Sequence, residues 1–382
     1  MSKPDSPSKR TFVRFVATVT LVALVMLVAM ATSWMGRASA HTQARRAVES
    51  GRTQVTLGNM EDALEKFNEA LKLDNTNQDA YLHRANLYDE MRRYRDAVSD
   101  YTHLLELDPG NEDALFNRSV VYAHLREFKS AIKDLDVIIR KDRGNLEAID
   151  ARGRFRLEMD DFDGAIKDFD QVLELQPNYV LARIHKGNVY RKMGRYADAI
   201  KEYDACVKMA PSVSEGWVQR GIAHWFLRHY DASIRDLSKS LQLKVSAQAH
   251  HYRGRAFAAT ERIRLAIADL DRSIQLDPDY ARSYFQRARI YHRFHKDSLA
   301  LKDYATAIRL RPKYAQAYNN RAVIHIENEE YQRAVRDCSL AIKYKPDLKF
   351  AYLNRARAFK GLGLMLKAQK DVAEYERLKT PK

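Results

Sequence analysis

ARSYFQRARIYHRFHKDSLALKDYATAIRLRPKY (residues 281–314) and AQAYNNRAVIHIENEEYQRAVRDCSLAIKYKPDL (residues 315–348) follow one another in a chain of 382 residues. Laid in register, they share arginine at the seventh place (Arg287, Arg321) and alanine at the eighth (Ala288, Ala322) and twentieth (Ala300, Ala334). They also share aspartate at the twenty-third place (Asp303, Asp337) and proline at the thirty-second (Pro312, Pro346). Apolar residues between these marks recur at helical spacing, so each stretch reads as two helices joined by a turn.

The rhythm extends in both directions. Pro109, Pro177, Pro211, Pro278, Pro312 and Pro346 are spaced by 68, 34, 67, 34 and 34 residues, multiples of 34 with one deletion. Units begin at Gln78, Glu112, Leu146, Val180, Ser214, Ala247, Ala281, Ala315 and Lys349, and one more, from Ala44, fits in front. In all ten the eighth place is small, from Gly51 to Ala356, and so is the twentieth, from Ala63 to Ala368. Small residues inside an apolar helical pattern let two antiparallel helices face each other closely. Larger rings stand beside them at the eleventh place (Tyr88, Tyr122, Tyr190, Phe257, Tyr291, Phe359) and the twenty-fourth (Phe67, Tyr101, Phe169, Tyr203, Tyr304).

This pattern resembles the tetratricopeptide repeat and covers residues 44–382, about nine-tenths of the chain. Asn75, Arg143 and Val245 depart from it at the closing proline, and Gln54, Arg156, His224 and His325 at the aromatic place. The resemblance implies an all-α, right-handed superhelical solenoid of about ten helix-turn-helix repeats. A single helix pair cannot bury its apolar face, whereas stacked neighbours share a continuous core. It also implies a concave groove, lined by the first helix of each unit, that takes a peptide or helix of a partner protein.

A charge pattern repeats with the same period. The seventh and twenty-third places hold Arg84 and Asp100, Arg118 and Asp134, Arg152 and Asp168, Lys186 and Glu202, and Arg220 and Asp236. Further along they hold Arg253 and Asp269, Arg287 and Asp303, Arg321 and Asp337, and Arg355 and Asp371. In the first unit both partners change together, to Ser50 and Lys66. That joint change assigns each pair to the two helices of one repeat. Such partly buried pairs fix register and add little net stability, so a structural role is expected of them.

The groove places change in character along the chain. Residues 44–213 carry a net charge of −4 and residues 214–382 one of +15. Early groove places offer Asp79, Asp89, Glu90, Asp113, Glu147, Asp150 and Glu158. The later half offers Trp225, Phe226, His251, Tyr252, Arg255, Arg282, Phe285, Arg289, Arg293 and Arg357. Aromatic residues beside arginine are usual anchors of a peptide site, so a basic groove over residues 215–360 is expected to take an extended acidic peptide or helix. The alternative is that the rings pack between repeats and the arginines are solvated. Carboxylate capture of the chaperone-tail kind is disfavoured: Asn86 and Asn117 suit it, but Leu82, Glu147 and Ala151 replace its basic residues.

Ahead of the repeats, residues 15–34 (FVATVTLVALVMLVAMATSW) hold no charge, and twenty helical residues span a hydrocarbon core of about 30 Å. The chain thus divides into a basic tail (1–14), a transmembrane helix or signal-anchor (15–34), a linker (35–43) and the solenoid (44–382). Lys3, Lys9, Arg10 and Arg14 place the N-terminus in the cytoplasm and the repeats on the opposite, periplasmic or extracytoplasmic side. Arg37, Arg45 and Arg46 on the other flank keep open a cytosol-facing receptor of the organelle type. Ala38-Ser39-Ala40 fits a peptidase site, so a secreted or periplasmic protein beginning at His41 is the alternative.

No phosphate-binding glycine loop, HExxH, GxSxG or CxxC occurs, so the sequence points away from an enzyme, a cofactor and a small-molecule substrate. His292 and His295 lack a third ligand for a metal, and Cys206 and Cys338, four units apart, lie beyond disulfide reach. Nucleic-acid binding is disfavoured by the acids of the first half, which repel phosphate.

Overall fold

The computed structural model describes residues 9–379, with side chains described for residues 24–28, 30 and 38–379. These residues form twenty helices and no strand. They divide into two compact units, one ending at Leu175 and the other beginning at Gln176.

Each unit is a stack of helix pairs, and the sequence marks explain the pairing. All ten twentieth-place residues, from Ala63 to Ala368, are fully buried. The eighth place faces the twenty-third and twenty-fourth more than the twentieth. A β-carbon on Gly51 would lie 2.6 Å from the Phe67 ring, and one on Gly153 would lie 2.8 Å from that of Phe169. Small residues there make room for the large ring of the partner helix.

The turn inside every pair is built alike. The fifteenth place is left-handed in all ten repeats, but only Gly58, Gly194 and Gly363 are glycine. Between pairs, Asp74, Asp108, Asp142 and Asp277 accept a backbone N–H two residues on, closing the turn that ends each second helix. Successive first helices pack on one another, for example Ser214–Phe226 on Ala247–Ala259 and Ala281–Arg293 on Ala315–Glu327. Successive second helices do not pack in this way, so within each unit the first helices occupy the tighter, inner side.

The opening helix differs from expectation. Lys9–Thr56 is continuous, so residues 35–43, expected as a linker, are helical and lead into the first repeat. Ala38, Ala40, Ala44 and Ala47 favour helix, and neither proline nor glycine occurs between Gly36 and Gly51 to stop it. Burial against the second helix, Met60–Leu73, begins at Ala44, Ala47 and Val48. Among the described residues no helix is long and apolar enough to cross a membrane. The expected span 15–34 falls largely on side chains outside that description.

Candidate partner-binding cleft

All nine seventh-place bases meet their twenty-third-place acid. Eight are arginine–aspartate contacts of 2.6–2.7 Å, and Lys186 Nζ lies 3.1 Å from Glu202 Oε1. The arginines that bind through both Nε and Nη2 hold the carboxylate as a fork. In the first repeat Lys66 turns instead to Glu69 along its own helix. These arginines therefore have counter-ions and are not offered to a guest.

The remaining guanidinium nitrogen makes a second link that the sequence reading missed. Nη1 reaches the twenty-fifth place of the preceding repeat: Asn68 from Arg84, Thr102 from Arg118, Asp136 from Arg152 and Asp204 from Arg220. Ser238, Asp271 and Ser339 play the same part for Arg253, Arg287 and Arg355. Each arginine so ties its own helix pair to the one before. The signal was present as a polar twenty-fifth place, broken at Ala305, which cannot accept from Arg321.

The expected groove residues separate into two groups. Trp225, Arg255, Arg289 and Arg293 converge on a cleft of about 480 Å³ in the second unit, on the inner side of three consecutive first helices. Its apolar wall includes Ile263, Leu270 and Ile290, and Gln286 and Tyr230 complete the polar rim. A smaller cavity of about 210 Å³, lined by Arg289, Arg293, Tyr304, Asn320 and Val323, adjoins it.

The other group does not line the cleft. His251, Tyr252 and Phe285 are buried at 1%, 6% and 8% exposure and belong to the core, correcting their reading as groove anchors. The reason is the aromatic that closes their repeat: Tyr280 lies edge-on to His251 at 5.1 Å, and Tyr314 covers Phe285 at 4.8 Å. Phe226 stacks on Tyr196 at 4.6 Å beside the cleft. Arg282 is exposed near Tyr280, and Arg357 is exposed in the last repeat, away from the cleft. The groove expected over residues 215–360 thus narrows to the arc from Trp225 to Val323. Gln286 and Asn320, both at the sixth place, were overlooked because they carry neither charge nor ring.

The electrostatics of the cleft are one-sided. The Arg255 guanidinium carbon stands over Trp225, 3.6 Å from the ring centre, and 5.1 Å from that of Tyr252. It has no hydrogen-bond acceptor among the described residues, and burial, reinforced by Arg289, pushes its pKa below the usual arginine value. Arg289 donates only to the Gln286 amide oxygen at 3.1 Å. Arg293 pairs with Glu261 at 2.8 Å on the exposed rim. The Trp225 indole N–H is buried without an acceptor. No carboxylate lines the cleft.

His251 beneath it is held in one tautomer. Ser273 donates to the Ala247 carbonyl and accepts from Ser283, so His251 Nδ1, 3.0 Å from Ser283 Oγ, must carry the proton. Burial, with Arg255 and Arg282 nearby, drives its pKa well below the ordinary histidine value.

Comparison with known proteins agrees with the repeat geometry. The sequence profile of the tetratricopeptide repeat matches residues 82–145, 151–214, 218–281 and 285–348, more than half of the chain. The chain belongs to the tetratricopeptide repeat family. No curated protein matches the sequence. Many solved structures are similar to it in fold, among them three with TM-scores above 0.5. A tetratricopeptide repeat protein from Parabacteroides merdae is 18% identical with a TM-score of 0.56, over 68% of this chain and 99% of its own. The APC/C hetero-tetramer Cut9-Hcn1 gives 15% and 0.58, over 82% and 76%. The human IFIT1 dimer with m7Gppp-AAAA gives 13% and 0.52, over 88% and 90%.

Among the described residues of this tetratricopeptide repeat protein, no three histidine, cysteine or acidic side chains gather as a metal site. His292 instead pairs with Glu327 at 2.8 Å. Both cysteines are buried and free, and burial pushes each thiol up to about 12. Asn86 and Asn117, the two residues suited to chaperone-tail capture, are hydrogen-bonded to each other at 3.2 Å.

Proposed function

We propose that this chain is a non-enzymatic scaffold whose second unit binds an extended, acidic segment of a partner protein in the cleft between Trp225 and Val323. One observation carries the reading: Arg255, Arg289 and Arg293 face one cavity that has an aromatic wall and no lining acid. Arg255 and Arg289 have no counter-ion, Arg293 pairs only with Glu261 at the rim, and cations so placed favour an anion, while arginine stacked on tryptophan is a frequent interface anchor. The test is a pulldown with the triple variant Arg255→Glu, Arg289→Glu, Arg293→Glu. Partners retained by the wild type should be lost while the melting profile stays in place. A partner set unaltered by the reversal refutes the cleft, and a partner lost on nuclease treatment makes it a nucleic-acid site instead.

The scaffold reading includes a membrane anchor. The uncharged stretch 15–34 supports it, as does one helix running from Lys9 into the first repeat with Leu24, Val25, Met26, Leu27, Val28 and Met30 exposed ahead of Ala44. The N-terminus would then be cytoplasmic and the repeats periplasmic or extracytoplasmic. N-terminal sequencing of the isolated protein tests this: a chain starting at His41 means cleavage and export in place of anchoring. A protease that digests the repeats only from the cytoplasmic side would favour a cytosol-facing receptor.

A further inference from the structure

The cleft specifies more than negative charge. Arg255 has no acceptor, Arg289 has only an uncharged amide, and the indole N–H of Trp225 is unsatisfied, so three donors from three consecutive first helices await a ligand. Arg255 and Arg289 both occupy the ninth place of consecutive repeats, which brings their guanidinium groups to the same cavity. One carboxylate would neutralise one of them. A phosphomonoester carries about −1.5 to −2 at neutral pH and offers three acceptor oxygens. Arginine forks match phosphate oxygens, and neither lysine nor carboxylate competes in the lining. The cavity, about 480 Å³ with Ile263, Leu270 and Ile290 on its wall, is far larger than a bare ion requires. Its wall suits the carbon chain or ring that bears the ester.

Resting on the acidic-partner reading of the same cleft, we infer that the anion it takes is a phosphorylated side chain of the partner protein. The phosphoryl group lies between Arg255 and Arg289, and its ester carbons lie against Trp225 and Ile263.

Trp225 provides the reporter. In full-length protein with Trp34→Phe and Trp217→Phe, its fluorescence is titrated with phenyl phosphate, benzoate and inorganic phosphate. A short peptide carrying phosphoserine and the same peptide with glutamate in its place follow. Phenyl phosphate should bind at least tenfold more tightly than benzoate and than inorganic phosphate, and the phosphoserine peptide at least tenfold more tightly than its glutamate form. Arg289→Gln should bring these ratios close to one, and Arg289→Lys should restore only part of them, because a point charge lacks the fork. Circular dichroism melting of each variant checks that the exposed Arg289 site has not altered the fold.

Preference for phenyl phosphate over phosphoserine would identify an aryl ester, and the reverse an alkyl one. Both outcomes support the inference. Equal affinity for phosphorylated and glutamate peptides, both lost in Arg289→Gln, overturns it and leaves the acidic-partner reading intact. If no probe binds and the triple reversal also retains every partner, both readings fall.

Discussion

The two units share a skeleton and differ in how their first helices begin. In the first, Asn77, Asn111 and Asn145 cap these helices, their side chains accepting from the N–H groups of Ala80, Ala114 and Ala148 at 2.9–3.0 Å. In the second, Tyr280 and Tyr314 hold the same place and make no side-chain cap. Their rings cover His251 and Phe285 instead. The first unit stabilises these entries by a local hydrogen bond; in the second, Ser246 still caps Ala247–Ala259 through the Ala249 N–H at 3.3 Å, but the next two entries instead bury the fifth-place ring of the repeat just ended. Ion pairs, small places and turns are common to both. The units differ again on the inner face, where the second gathers Arg255, Arg289 and Arg293.

The shared skeleton breaks most severely at an ion pair. Asp337→Ala leaves the half-buried Arg321 without its fork, and Ala305 offers no second acceptor, so a loss of about 3–5 kcal/mol is expected in urea unfolding. Asp303→Ala should cost less, because Arg287 keeps Asp271 at 2.5 Å. Equal losses at the two sites would mean that the link to the preceding repeat contributes nothing.

The second effect belongs to His251. Its folded pKa lies well below the ordinary value near 6.5, so below that pH the unfolded chain takes up a proton that the folded chain refuses. Stability is therefore retained above about pH 6.5 and falls as the pH drops, by up to ~2 kcal/mol at pH 5. His83 in the first unit and His224 in the second act in the same direction, also mainly through burial. His251→Gln, which can still donate to Ser283, should flatten melting temperature against pH between 7 and 5. An unchanged slope would show that the network around Ser273 and Ser283 opens before His251 protonates.

His251 also shows why the repeats were legible in the sequence and the cleft only in part. Period, helix pairs, ion-pair partners and the sign of the inner face all follow from residues that recur every 34 places. Whether a fifth-place ring faces a groove or the core depends on what closes the repeat. Tyr280 and Tyr314 decide this, and their place looks like a turn residue until the contact is seen. Arg255, Arg289 and Arg293 were found because charge at an inner place has few structural uses. Gln286 was missed because an amide there has many.

The helix entries give the next two effects. Tyr314→Asn exchanges the ring over Phe285 for a cap: the ring accounts for roughly 2–3 kcal/mol and the cap returns about 1, for a net loss of ~1–2 kcal/mol. Asn111→Ala in the first unit removes only the bond to Ala114 and should cost about 1 kcal/mol. If Tyr314→Asn proves neutral in urea unfolding, the tyrosine is an ordinary turn residue and the contrast between the units loses its cause.

The smallest effect tests what the units have in common. Arg126 in the first and Arg228 in the second hold φ of 60° and 62° at the fifteenth place. A side chain in that conformation costs about 1–2 kcal/mol, whereas glycine adopts it freely and gives back roughly 0.5–1 kcal/mol through its looser unfolded chain. Arg126→Gly and Arg228→Gly should therefore each raise stability by about 0.5 kcal/mol. Gly194→Ala, at φ 77°, should lower it. The comparison rests on the two gains being alike, because the turn geometry repeats while its surroundings do not. A gain at Arg228 with a loss at Arg126 would trace to the Phe128 ring, 6.0 Å from the Arg126 guanidinium, and would make that turn a local arrangement of the first unit.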